Sequence, residues 1–129
     1  MSFRRAGHGH FEANYLTPDD LLTPAQEALE KALDEELPTR RLSVLFSVEV
    51  AVVPRAVSEF WLGVTSRMAP RLCCLAIVSS HLSVRSAVAA FSVANRLRGV
   101  KLAVKAFTPA ELELARRWCS EQRAAAPGQ

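Results

Sequence analysis

The fold is decided by residues 72–78, which read LCCLAIV. Every side chain in this run is apolar, and a strand that is apolar on both faces is typical of the centre of a parallel sheet with helices on each side. The run is much shorter than the roughly 20 apolar residues that span a bilayer. Ser79, Ser80 and His81 follow it directly. The run therefore predicts a buried central strand and no membrane span.

Helical and strand patterns alternate on both sides of this strand. Downstream, apolar residues recur at helical spacing from Ser83 to Leu97, and Gly99 is a natural C-cap. The next apolar residues alternate with Lys101 and Lys105, which indicates a strand at an edge of the sheet. The remaining predicted elements are a strand at 11–15, an amphipathic helix ending at about Glu36, a buried strand at 42–52, a helix from Pro54 and a terminal helix opened by the capping box 108–111.

Strand and helix repeat four times, which favours a mostly parallel sheet. The chain has 129 residues, 50% of them hydrophobic and 22% charged, and this is the size and composition of one globular domain. We predict a single small α/β domain with a four- or five-stranded mostly parallel sheet and four helices packed on it. Its expected limits are a flexible leader at 1–10, the domain at 11–124 and a flexible tail at 125–129.

The three cysteines indicate a reducing compartment. Cys73 and Cys74 are neighbours in the central strand and Cys119 falls in a helical pattern, so they form no disulfide framework. We interpret Cys73 and Cys74 as small apolar side chains on opposite faces of the strand. The expectation is a cytoplasmic protein without a metal or another cofactor.

Several stretches resemble the SpoIIAA-like domains of the STAS and SEC14 type, which are small bacterial proteins of four or five strands with helices packed on the sheet. Residues 15–20, YLTPDD, are similar to the family's strand that ends in a Leu-Thr step before its first helix. The strand, helix and strand from Arg71 to Phe107 and the terminal helix with Trp118 are similar as well. The resemblance extends from about Phe11 to Glu121 and implies a regulatory interaction domain.

One feature of that family is missing from the sequence. Anti-sigma-factor antagonists of the STAS type place a phosphorylatable serine in an Asp-Ser turn before the helix that follows a central strand. Here residues 50–55 read VAVVPR, and Ser58 lies inside the predicted helix. The resemblance therefore implies a member that lacks the phosphoserine switch.

The junction after the central strand is the most polar in the chain. Ser80, His81 and Ser83 precede a predicted helix N-terminus, where they would bind an anion, or Ser80 or Ser83 simply caps the helix. No carboxylate lies between Glu59 and Glu111 to complete a catalytic group, so we expect no enzyme. The N-terminal pair His8 and His10 is interpreted as part of the leader rather than as metal ligands.

Protein contact is the function that the surfaces favour. The helix from Pro54 has more apolar surface than one buried stripe needs, and the next helix is rich in Ala and Val around its circumference, so either these helices pack in the core or they contact another chain. The basic residues favour an acidic protein partner over nucleic acid, since no nucleic-acid-binding motif accompanies them. The predicted interaction residues are Phe60, Trp61, Leu62, Arg85, Phe91, Arg96, Arg98, Lys101 and Lys105.

Two functions follow from these patterns. The first is a non-catalytic interaction or regulatory adaptor domain, with self-association left open. The alternative is a binder of a small apolar ligand or lipid, which the SEC14 resemblance allows. That alternative predicts a cavity of several hundred cubic ångströms between the sheet and the helices that contain Phe60, Trp61 and Phe91.

Overall fold

A computed structural model describes residues 2–7, 9–36 and 41–125 of the chain. Strands and helices alternate along it after an initial hairpin. Short 3-10 turns lie at 18–21, 69–71 and 109–111. The elements are β1 (Ser2–Gly7), β2 (His10–Tyr15), α1 (Thr23–Glu35), β3 (Leu42–Val48), α2 (Arg55–Met68), β4 (Leu72–Val78), α3 (Leu82–Leu97), β5 (Ala103–Phe107) and α4 (Leu112–Ala125).

The five strands form one sheet in the order β1-β2-β3-β4-β5. Strands β2 to β5 are parallel, and β1 pairs antiparallel with β2. This confirms the predicted α/β fold with a mostly parallel sheet and four helices. As predicted, residues 72–78 form a buried internal strand and the lysine-bearing strand β5 lies at an edge, but the centre of the five-stranded sheet is β3 and not residues 72–78.

The N-terminal segment differs from the expected leader, because Ser2–Gly7 is a strand of the sheet. The Phe3 ring packs 5.6 Å from that of Phe11, centroid to centroid. Arg5 forms an ion pair with the buried Glu36. Met1, His8 and most of the expected tail, residues 126–129, lie outside the described residues, and α4 extends to Ala125.

The two faces of the sheet are covered differently. Helices α1, α2 and α3 pack on one face, against alternate side chains of β3 and β4 such as Phe46, Val48 and Ile77. The opposite face packs against α4, where Ala115 and Cys119 are fully buried. The domain therefore has three layers, with the three helices α1 to α3 in one layer and α4 in the other.

The two adjacent cysteines do not separate cleanly onto opposite faces. Leu42 pairs with Leu72 but Ser43 pairs with Cys74, so the register shifts at Cys73. Cys74 is buried in the cluster under α4, and Cys73 is half-buried against the same cluster. Simple alternation along the strand fails here because of this irregularity.

No helix in the described ranges is long and apolar enough to cross a membrane.

Candidate functional site

Helix α2 is fastened to the core by one apolar face. Its buried residues are Val57, Trp61, Val64, Thr65 and Met68. The Trp61 ring packs edge-on to Phe46 at 5.4 Å between centroids, and its Nε1 donates a hydrogen bond to the Leu21 carbonyl. Trp61 was expected in the interaction surface, but only 7% of it is exposed. It is a core anchor.

Helices α2 and α3 meet through a polar contact near their C-terminal ends. Thr65 Oγ1 lies 3.3 Å from Asn95 Oδ1, and both residues are fully buried. The Nδ2 group of Asn95 is buried without a hydrogen-bond partner among the described residues. Towards their N-terminal ends the two helices leave a gap above strands β3 and β4.

This gap is an apolar groove of about 80 Å³ at the carboxyl end of the strands. Ligands of open α/β sheets gather at this edge. The volume is smaller than the several hundred cubic ångströms that the ligand-binding alternative predicts. The groove is lined mainly by apolar side chains, among them Val57, Trp61, Ile77, Val84 and Phe91.

Helix α3 is attached to the core much less firmly than α2. Only Val84 and Asn95 of its 16 residues are buried, while Val88 and Phe91 pack on the core at partial exposure. The opposite side of the helix is exposed, and Arg96 at its edge is its one charged residue. We define the outer stripe as the exposed residues Leu82, Ser86, Ala89, Ala90, Val93 and Leu97.

The outer stripe is more apolar than a solvated helix face needs to be. Leu82 is 69% exposed, Val93 45% and Leu97 84%. At 3.6 residues per turn, the six residues of the stripe fall within about 100° of arc. Amphipathic surface helices usually present charged and polar residues on this side. This stripe is therefore the strongest candidate for a contact surface.

The other predicted aromatic and apolar contacts are divided between core and surface. Phe60 is partly buried against the core, with its ring 6.3 Å from that of Trp61, and it does not line the groove. Leu62 is half-exposed on α2. Phe91 and Trp61 both line the groove, as the ligand-binding alternative expected.

The predicted basic residues do not form one patch. Arg96, Arg98 and Lys101 are exposed around the C-terminal end of α3, at the amino edge of the parallel strands. Lys105 lies on β5, with Nζ 5.4 Å from the centre of the Phe107 ring under α4. Arg85 is half-buried and donates to the Ser79 carbonyl at 2.8 Å.

The polar junction before α3 is partly occupied by internal hydrogen bonds. Ser83 Oγ donates to the Ala51 carbonyl, and the His81 N–H donates to Ser79 Oγ at 3.1 Å. His81 occupies the N-cap position without a side-chain cap, so neither Ser80 nor Ser83 caps α3 as expected. Ser80 is exposed, and within the described residues its side chain has no hydrogen bond to His81 or Ser83.

A buried polar network fastens α4 to the other face of the sheet. Arg116 donates two hydrogen bonds to the Glu12 carboxylate, at 2.9 and 3.0 Å. His10 Nε2 lies 3.0 Å from Glu12 Oε2, and His10 Nδ1 lies 2.7 Å from Ser43 Oγ. Arg123 donates to the same Ser43 oxygen. Two arginines of α4 thus form hydrogen bonds to a connected set of three polar side chains on β2 and β3.

Burial and hydrogen bonds shift the pKa values of the ionisable groups in this network. The hydrogen bonds from Arg116 hold the pKa of the Glu12 carboxyl below its ordinary value, although burial opposes the shift. Burial is the main reason that the pKa of the His10 imidazole is lowered, and the Glu12 hydrogen bond opposes it. The network therefore favours an ionised Glu12 beside a neutral His10.

The combination of serine, histidine and glutamate resembles a catalytic triad only in composition. In a triad, the histidine receives the serine proton at Nε2 and holds the carboxylate at Nδ1. Here Ser43 is at Nδ1 and Glu12 is at Nε2. Ser43 is also fully buried. The arrangement supports attachment of α4 rather than attack on a substrate.

Sequence reasoning missed this network because His10 was assigned to the leader. Two signals point to it in retrospect. His10 and Glu12 lie two residues apart and share one face of a strand. Arg116 and Arg123 lie seven residues apart and share one face of a helix. Their pairing across the sheet depends on the register, which neither pattern contains.

Comparisons with protein-family models, with curated proteins and with solved structures found no match to this chain.

Proposed function

We propose that this chain is a non-catalytic protein-interaction domain of regulatory or adaptor type, and that the outer stripe of α3 is its contact surface. The observation that supports this most is the imbalance in α3, which is rich in apolar residues but buries only two of its 16. Helix amphipathicity alone would place polar side chains where Leu82, Val93 and Leu97 are exposed.

The energetics of the stripe support a contact that is useful but not permanent. Burying an exposed Leu or Val side chain fully contributes roughly 1.5–3 kcal/mol. The three large side chains of the stripe would therefore contribute several kcal/mol before the cost of association, which is itself estimated at about 4 kcal/mol or more. The net affinity that follows is modest, as in reversible signalling contacts.

Charged residues next to the stripe add specificity rather than strength. Arg96, Arg98 and Lys101 are exposed at its C-terminal end, where they would attract acidic groups of a partner and repel basic ones. Exposed ion pairs contribute roughly 0–1 kcal/mol each. The apolar stripe, not the basic residues, therefore provides most of the proposed affinity.

The proposal agrees with what the SpoIIAA-like resemblance implies, without the phosphoserine switch. The segment between β3 and α2 contains no serine, and Ser58 is on α2, partly buried beside the groove. Static surfaces would then provide recognition. The membership of that family and a cytoplasmic location remain predictions.

Site-specific photo-crosslinking tests the function directly. A photoreactive phenylalanine replaces Val93 in the outer stripe, and in a matched control it replaces Ser66 on the exposed side of α2. We expect irradiation of living cells to yield discrete covalent protein adducts from position 93 and none from position 66. Adducts of equal yield at both positions, or no adduct at 93, would contradict an interaction surface on α3.

The apolar groove supports a second candidate function, binding of a small apolar ligand. Its lining by Trp61 and Phe91 is the specific observation in favour. An engineered apolar cavity of about 150 Å³ binds benzene, so about 80 Å³ suits only a short alkyl chain. Titration of a Trp118→Phe variant with a short-chain alcohol, followed by Trp61 fluorescence, would show saturation for a ligand site and a linear change for solvent effects alone.

A further inference from the structure

We infer that the partner of the outer stripe is a second copy of this chain, packed antiparallel through α3. This inference rests on the proposed function and names the partner for the same surface. The reason is that the stripe is self-complementary, since its residues are placed symmetrically about the middle of the helix.

The symmetry is visible in the residue numbers. Helix α3 runs from Leu82 to Leu97, so its midpoint lies between Ala89 and Ala90. An antiparallel pair centred there places position 82 of one copy beside 97 of the other, and 86 beside 93. All of these positions are exposed and uncharged. Leucine therefore meets leucine at each end, and alanine meets alanine in the middle.

The small residues at the centre permit close approach. Helices pack at interaxial distances of about 8–10 Å, depending on the side chains at the crossing. Ala89 and Ala90 present only methyl groups there. A two-fold axis through this point makes the contact isologous, so it closes as a dimer and does not grow into a filament.

The size of the surface sets the strength of the dimer. A helix of 16 residues is about 24 Å long and about 10 Å wide. The projected area is thus about 240 Å² per copy, below the roughly 800 Å² per partner that a standard stable interface buries. The dimer is therefore reversible and depends on concentration.

The flanking charges distinguish a second copy from an acidic partner. Arg85 and Arg96 lie along the same side of α3; Arg96 is exposed, and the half-buried Arg85 donates to the Ser79 carbonyl. In the antiparallel pair, Arg96 of one copy approaches the end of α3 that contains Arg85 in the other copy, and these like charges repel. Salt screens the repulsion, so a higher ionic strength strengthens the dimer. Salt would instead weaken attraction to an acidic partner.

Engineered cysteines test the geometry in the full-length chain. In the antiparallel pair, the two copies of residue 90 are about 1.5 Å apart along the helix axis, whereas the two copies of residue 97 are about 22 Å apart. Diamide accepts the two hydrogens that a pair of thiols loses on forming a disulfide. We expect Ala90→Cys to give a disulfide-linked dimer at least tenfold more abundant than Leu97→Cys does.

The unsubstituted chain under the same oxidation gives the baseline for Cys73, Cys74 and Cys119. Equal crosslinking of Ala90→Cys and Leu97→Cys above that baseline would indicate a parallel pair and overturn the antiparallel geometry. No crosslinking of either variant would overturn the second copy as partner.

A charge variant tests the same surface without crosslinking. Ala90→Asp places two carboxylates next to the two-fold axis, and we expect it to raise the dimer dissociation constant at least tenfold in sedimentation equilibrium. The control, Ala56→Asp, makes the same change at an exposed position of α2 and should leave that constant within twofold. An equal effect of both substitutions, or a chain that stays monomeric, would overturn this proposal.

The identity of the photo-crosslinked adduct at position 93 separates the two proposals. An adduct with another protein alone would overturn the second copy as partner and leave the interaction function intact. No adduct at all would overturn both.

Discussion

Helices α2 and α3 are neighbours in one layer and both are at least half apolar, yet they pack on the domain in opposite ways. Helix α2 buries five residues and presents an exposed Arg55–Glu59 ion pair at 2.9 Å to solvent. Helix α3 buries two residues and presents the uncharged outer stripe. The apolar side chains of α2 therefore pack against the core, whereas many of those of α3 are exposed to solvent. Position relative to the sheet, not composition, separates the two.

The largest expected effect is at the α2 anchor. Trp61→Ala removes a nearly buried indole, its hydrogen bond to Leu21 and its contact with Phe46. We expect a loss of about 4 kcal/mol in the free energy of unfolding, measured by urea denaturation with circular dichroism. Trp61→Phe keeps most of the apolar volume and should lose clearly less. A loss below 1 kcal/mol for Trp61→Ala would contradict the role of α2 as the anchored helix.

Helix α4 differs from both α2 and α3 because polar contacts attach it to the sheet. Glu12→Gln removes the charge that both Arg116 hydrogen bonds engage, and we expect a loss of about 2 kcal/mol at pH 7. Glu113→Gln is the matched control, since Glu113 contacts the same arginine but its side chain is 80% exposed. That variant should stay within about 0.5 kcal/mol of the unsubstituted chain. Similar losses in both variants would contradict a specific role for the buried pair.

The same network predicts how stability depends on pH. The folded pKa of His10 is below its ordinary value of 6.5, so the unfolded chain binds the proton more readily and stability falls as the pH drops below 6.5. The folded pKa of Glu12 is below 4.5, so its contribution is present above pH 4.5 and lost as the pH falls through the folded pKa. Urea denaturation from pH 8 to 3 measures both steps. A flat profile over this range would contradict the network.

A smaller effect is expected where the two helices touch. Asn95→Leu replaces a buried amide whose Nδ2 has no partner among the described residues, and Thr65 Oγ1 keeps its 2.8 Å hydrogen bond to the Trp61 carbonyl. We expect a change between 0 and about 1 kcal/mol in favour of the folded state. Asn95→Ala leaves a cavity instead and should destabilise the chain. If Asn95→Leu proved the worse of the two, the amide would have an unseen stabilising partner.

The smallest effect is expected on the outer stripe. Val93→Ser at a concentration where the chain is monomeric should change the free energy of unfolding by less than about 0.5 kcal/mol, since serine and valine have similar helix propensities. The matched control is Val57→Ser, because Val57 is only 4% exposed in α2. There the same substitution should cost about 2 kcal/mol. Equal losses in the free energy of unfolding at the two positions would contradict the distinction between the buried face of α2 and the exposed stripe of α3.

The fold could be predicted from the sequence because local patterns specify most of its helices and strands. The apolar run 72–78, the helical spacing after it and the capping box at 108–111 all appear in the structure as predicted. The strand β1 was missed because Gly7, His8 and Gly9 suggest a loop, and because its partner residues on β2 are identified only by the register.

The candidate site was only partly predictable from the sequence. Helical spacing identified α3 as apolar around its circumference, but it could not show which side faces the sheet. Trp61 and Leu97 illustrate the difficulty, because both are large and apolar and only the fold makes one buried and the other 84% exposed. Long-range contacts such as Glu12 with Arg116, 104 residues apart, have no local signal.

Sedimentation equilibrium of the unsubstituted full-length chain, from micromolar to millimolar concentration, tests the self-association of α3 most directly. The account predicts a weight-average mass that rises with concentration from 14.1 kDa towards twice that value, and that rises earlier when salt is added. A mass that stays at 14.1 kDa over the whole range would contradict it.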